Sequence, residues 1–151
     1  MKRIGIILVL LALALIAAFA VTQRAQAPLS SPVTGFGKPS FTYKIADTPA
    51  LREQGLSGRT EIPHDYGMLF VFDTPERAGF WMKDMQVPID IIWLDEEGAI
   101  LGIERSLSPD TYPQAYYPPV AVRYVLETRA GEAALKGWEV GTIIELPDSR
   151  K

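Results

Sequence analysis

The chain predicts an α+β class domain: compact, β-rich, with mostly antiparallel strands in a small barrel-like or folded sheet and two short helices. Three observations point there. Between Phe41 and Leu146 the apolar residues come in short runs rich in Ile, Val, Phe, Trp and Tyr. Gly, Pro, Asp and Thr clusters separate those runs. Only two stretches carry helix start and stop signals.

Taken in order, FTYKIA at 41–46 alternates as a strand does. Asp47 or Thr48 can then cap a helix with Pro49 in its first position and Gly55 at its end, turning Leu51 inward. GMLFVF at 67–72 is a continuous β-prone run closed by DTPE. FWMK at 80–83 and IDIIWLD at 89–95 read as the next strands, and Glu96, Glu97 and Gly98 supply hairpin chemistry before AILGIE at 99–104. Residues 106–119, SLSPDTYPQAYYPP, form a loop too long for a simple turn. RYVLET at 123–128 is a strand, GEAALKG a short helix stopped by Gly137, and TIIEL at 142–146 a last strand that closes the fold. Roughly 107 residues suffice for one core and are too few for two.

The first forty residues belong to another physical class. Lys2 and Arg3 precede an uncharged apolar run from Ile4 to Val21, 18 residues long. As a helix it would span about 27 Å, close to the hydrocarbon core of a bilayer. Residues 1–21 are therefore expected to target the membrane. Ala25, Gln26 and Ala27 resemble a signal cleavage site, with Ala18, Phe19 and Ala20 an earlier one, but Pro28 hinders the former and the run exceeds a usual signal core. An uncleaved anchor through residues 4–21 is the reading this favours, and a cleaved signal is the alternative. Both place the domain on the extracytoplasmic, periplasmic side, anchored to the inner membrane or secreted. Residues 22–40, rich in Pro, Gly and Ser, read as a flexible linker, leaving 41–151 as one globular domain.

Composition excludes several functions. The absence of cysteine removes disulfides and thiol chemistry. Residues 41–151 hold 11 of the 15 basic residues against all 18 acidic ones, a formal −7. So negative a domain repels phosphate backbones, and nucleic acid is not an expected partner. His64, the only histidine, lies in a turn-like IPHDYG, so no metal site or cofactor is predicted. The nucleophile-elbow pattern and glycine-rich phosphate loops are absent.

Two ionisable residues, Lys83 and Asp90, interrupt runs of bulky apolar side chains. With period two, both faces of the strand carrying Asp90 are apolar, so Asp90 is expected to be desolvated and to need a cation. Lys83 is the nearest candidate, with Arg52, Arg59 and Arg123 as rivals. Glu127 raises the same question beside Arg123 and Val125. Either these charges form an ion-pair network that fixes strand register, or they line a cleft in which Trp81 offers a flat ring and Lys83, Asp90 and Glu127 offer polar contacts.

The ordered set ADTPALREQGLSGR, GMLFVF, FWMK, PIDIIWLD and YVLE followed by AG resembles an uncharacterised bacterial and archaeal family, domain of unknown function 192, over roughly residues 43–146. The resemblance implies a β-rich α+β domain, often behind a secretion signal or anchor, and no activity. Its motif positions single out Arg52, Gly55, Arg59, Gly67, Trp81, Lys83, Asp90 and Glu127. Here Asp84 and Met85 stand where the family commonly has Asn and Thr, and the loop at 106–119 lacks the cysteine pair of some members. The functional expectation is a non-enzymatic ligand-binding or accessory module of the cell envelope, taking a small molecule or glycan. The alternatives are a small hydrolase of envelope polymers using Asp90 and Glu127 as a carboxylate pair, with no catalytic role assigned to either, and a protein-interaction module using Tyr112, Tyr116 and Tyr117.

Overall fold

The structure, a computed structural model, describes residues 41–147. The expected membrane segment at 1–21 and linker at 22–40 lie outside the described residues. Among the described residues no helix is long and apolar enough to cross a membrane.

Strand β1 (Thr42–Ala46) leads into helix α1 (Pro49–Gln54) and long strand β2 (Tyr66–Glu76). Short β3 (Phe80–Trp81), β4 (Ile89–Leu94) and β5 (Ile100–Leu107) follow, then a 3-10 turn at Pro109–Thr111 and β6 (Ala115–Tyr116). Strand β7 (Val122–Arg129) and helix α2 (Glu132–Leu135) complete the elements. The helix signals hold. The Thr48 side chain accepts from Leu51 N–H, Pro49 opens the helix, and Gly55 ends it at φ +52°.

The main sheet has the order β1-β2-β7-β4-β5, with β1 parallel to β2 and the other pairs antiparallel. It is open, so the barrel-like expectation is corrected. TIIEL contributes only the isolated bridge of Ile143 to Ala99, and FWMK shortens to Phe80–Trp81, which pairs with β6 as a separate ribbon. Neither segment is available to join the sheet edges.

Both faces of the sheet are covered. Met68, Phe70, Phe72, Ile91, Trp93 and Val125 belong to one buried cluster, and Leu69, Ile92, Leu94, Tyr124 and Leu126 to the other. All six residues of β4 are buried, as its two-sided apolar pattern requires. Strand β7 is central, flanked by β2 and β4. Gly67 on β2 is obligatory, since a Cβ there would lie 2.7 Å from the Glu127 carbonyl oxygen.

Candidate functional site

Glu127 sits in the middle of the central strand, between Met68 on β2 and Ile91 on β4. A long acidic side chain leaving that position enters the apolar layer formed by Phe70, Phe72, Trp93 and Val125. The residue is 5% exposed, and its Oε2 atom has no hydrogen-bond partner among the described residues. Burial pushes the carboxyl from its ordinary 4.5 up to about 8, and the main-chain N–H of Leu56 counteracts this only in part. At neutral pH the group therefore keeps its proton.

The carboxyl lies on a cavity of about 130 Å³ walled by Phe70, Phe72 and Phe80, with Trp81 and Arg52 also on its lining. The turn after α1 supplies one side, where the missing side chain of Gly55 leaves room. A Cβ there would stand 3.3 Å from Glu127 Oε2 and 3.4 Å from the Phe70 ring. The Phe70 and Phe80 rings meet edge to face at 4.9 Å, and Phe80 meets Trp93 likewise at 5.4 Å. Trp81 is 51% exposed. The Arg52 Nη1 donates to the carbonyls of Asp47 (2.8 Å) and Val71 (2.9 Å), and its guanidinium lies 5.4 Å from the centre of the Phe72 ring. Those bonds pin α1 to the sheet.

Of the residues singled out from sequence, the cavity brings together Trp81, Glu127 and Arg52 and leaves out Lys83, Asp90 and Arg59. Lys83 is exposed, and among the described residues only its main-chain carbonyl is engaged, by the Ser57 hydroxyl. The Arg59 Nη2 donates to the Tyr66 hydroxyl at 3.0 Å.

Asp90 is buried as expected, but its predicted cation is corrected. Its Oδ1 accepts from Ser106 N–H at 2.8 Å and its Oδ2 from Ala133 N–H at 3.0 Å. Ala133 lies in the first turn of α2, whose Gly131 cap has no side chain to offer; Asp90 caps that helix from β4 instead. Asp90 pairs with Thr128, one position from Glu127, so the two carboxyls leave the sheet on opposite faces. They do not form the carboxylate pair of a hydrolase.

Sequence reasoning missed the aromatic walls, although the alternation of Met68, Phe70 and Phe72 would have put them on one face with a period-two reading of β2. It also missed buried Glu132, 2.8 Å from His64 Nδ1 and accepting from Asp65 N–H at 3.2 Å. The Tyr-rich loop packs inward in part: Tyr116 packs against the buried cluster, while Tyr117 is exposed and lies over Gly79, where a Cβ would be 2.9 Å from its ring. Among the described residues no group of three or more His, Cys, Asp or Glu side chains could hold a metal ion.

Fold and site define a β-rich α+β domain with a buried acid, one of whose oxygens lacks a partner among the described residues, on a cavity with aromatic walls. The chain belongs to the domain of unknown function 192 family, described as "Uncharacterized ACR", which matches residues 32–146. It is similar to a Sinorhizobium meliloti 1021 protein provisionally described as a transcription regulator, at 33% identity and TM-score 0.64, over 67% of this chain and 78% of that one. It is also similar to a protein of unknown function from Novosphingobium aromaticivorans DSM 12444, at 29% identity and TM-score 0.67, over 81% and 94% of the two chains. No curated protein matches.

Proposed function

We propose that this domain is a ligand-binding module whose site is the cavity over Glu127, held outside the cytoplasmic membrane by its basic-then-apolar amino-terminal segment. One observation carries the binding reading: a carboxyl 5% exposed, with an oxygen lacking a partner among the described residues, borders a cavity with aromatic walls. Buried polar atoms are nearly always satisfied, so an orphaned one facing a cavity is where a ligand atom completes the set. The hydrolase reading loses its second carboxylate to the other face of the sheet. The regulator description of the Sinorhizobium relative gives no reason to add nucleic acid as a partner, because residues 41–151 carry a formal −7.

Tryptophan emission tests the site. Trp81 is the exposed ring of the cavity, whereas Trp93 is buried in the core. A compound that binds there should change emission saturably in the parent chain and leave the Trp81→Phe emission unaltered. A small-molecule and glycan-fragment screen in which no compound distinguishes the two chains would remove the reading. Location is tested apart from binding, by protease applied to intact spheroplasts: digestion of residues 41–151 is expected, and full protection until lysis overturns the orientation.

A further inference from the structure

We propose that the cavity over Glu127 receives the carbonyl end of a small neutral ligand, an amide or ester on a short apolar stem, whose oxygen accepts a hydrogen bond from the Glu127 carboxyl group. The inference rests on the ligand-binding reading above and names the chemistry of what binds.

The lining sorts the possible ligands by charge. The titratable groups on the cavity are Glu127 itself and, from α1, Arg52 and Glu53. Strands β2, β3 and β4 turn Met68, Phe70, Phe72, Phe80, Trp81 and Ile91 toward this layer or its rim, none of them titratable in the physiological range. A cationic ligand would share the cavity with the Arg52 guanidinium and ionise Glu127 among aromatic rings, where a charge is expensive. A carboxylate ligand would share it with Glu53 and bring a second carboxyl against Glu127. A neutral carbonyl meets neither obstacle. Gln54 and Ser57 also border the cavity, Ser57 with its hydroxyl given to the Lys83 carbonyl, but among the described residues the Glu127 Oε2 is the buried lining atom without a partner, so the ligand's polar end is directed there.

The protonation state agrees with that geometry. With the carboxyl raised to about 8 by burial, Glu127 holds a proton at pH 7 and can donate it in a hydrogen bond without ionising. The cavity of about 130 Å³ approaches the ~150 Å³ that accommodates a benzene molecule, which suits a group of about six heavy atoms.

The experiment titrates the full-length chain in lipid nanodiscs with butyramide and, separately, n-butylammonium. It follows Trp81 emission and the amide resonances of Gly55 and Leu56. Butyramide is expected to give saturable changes, with an affinity equal at pH 6 and pH 7 and lower by about tenfold at pH 9, where Glu127 has lost its proton. Glu127→Gln retains a donor without a titration, so it should bind butyramide with less than about a twofold change over the same range. Glu127→Leu should lose the binding. Butyramide affinity undiminished at pH 9 in the parent overturns the role given to Glu127. Binding of n-butylammonium that strengthens with pH, without butyramide binding, overturns the carbonyl inference and leaves the binding module standing. If neither probe saturates, the carbonyl inference falls, and the binding reading is decided by the small-molecule and glycan-fragment screen.

Discussion

Asp90 and Glu127 are acids buried on adjacent strands of one sheet, one position apart in register, and the two faces treat them oppositely. On one face, both Asp90 oxygens accept main-chain N–H bonds, from β5 and from the start of α2, joining three elements through one side chain. On the other, Glu127 has an orphaned oxygen and a raised pKa beside an aromatic cavity. Burial alone therefore does not mark a functional residue. An acid whose oxygens are spoken for is a strut; an acid with a free oxygen facing a cavity is a place for a ligand.

The largest expected effect falls on the strut. Asp90→Ala strips the acceptor from two main-chain N–H groups, one of them fully buried, and should destabilise the domain by roughly 3–5 kcal/mol in denaturant unfolding. Asp90→Asn, which keeps one acceptor, should lose less. A loss below about 0.5 kcal/mol for the alanine variant, the range of ordinary surface positions, would mean that Asp90 is solvated and the contrast with Glu127 is void.

Much of this was legible in the chain. Period two along β4 predicts that Asp90 is buried, and Thr48, Pro49 and Gly55 fix α1 closely, because caps and prolines act through local backbone chemistry. The partners of Asp90 were not legible. Main-chain amides leave no residue-type signature, so a buried acid invites the nearest lysine, and Lys83 was the wrong one. The open sheet was hidden for a similar reason: TIIEL has strand composition, yet pairing depends on a free sheet edge that only the tertiary arrangement decides. The cavity drew its walls from Phe70, Phe72 and Phe80, side chains that in sequence look like any core.

The second prediction tests the other acid. With an ordinary value of 4.5 when unfolded and about 8 when folded, Glu127 binds more protons in the folded state between those values. Its contribution is fully present below about pH 4.5 and is lost as pH rises through 8. Glu127→Gln has no such linkage, so its stability relative to the parent should improve by roughly 2 kcal/mol between pH 6 and pH 8. Parallel curves for the two chains would show that the Glu127 carboxyl is not raised by burial and has a partner for each oxygen.

The third closes the space that separates the two acids in function. Gly55→Ala puts a methyl group 3.3 Å from Glu127 Oε2 at a residue with φ +52°. An alanine held at φ +52° and ψ −137° costs about 1–3 kcal/mol, measurable as a lowered denaturant midpoint, and the methyl should weaken butyramide binding with the fold retained. Unchanged binding would place the ligand elsewhere on the domain.

The smallest effect is expected at Lys83, and it bears on the comparison because a lysine locked to a buried acid would behave very differently from an exposed one. Truncating one member of a buried ion pair typically costs 3–5 kcal/mol, whereas a solvated lysine contributes within about 0.5 kcal/mol. Lys83 is exposed, and Asp90 already accepts from two amides. Lys83→Ala should therefore leave the denaturant midpoint within about 0.5 kcal/mol of the parent, and the double variant with Asp90→Ala should lose what Asp90→Ala loses alone. A coupling energy above about 1 kcal/mol between the two positions would restore the ion pair, and with it an account in which both buried acids sit in one charged network instead of serving opposite faces of the sheet.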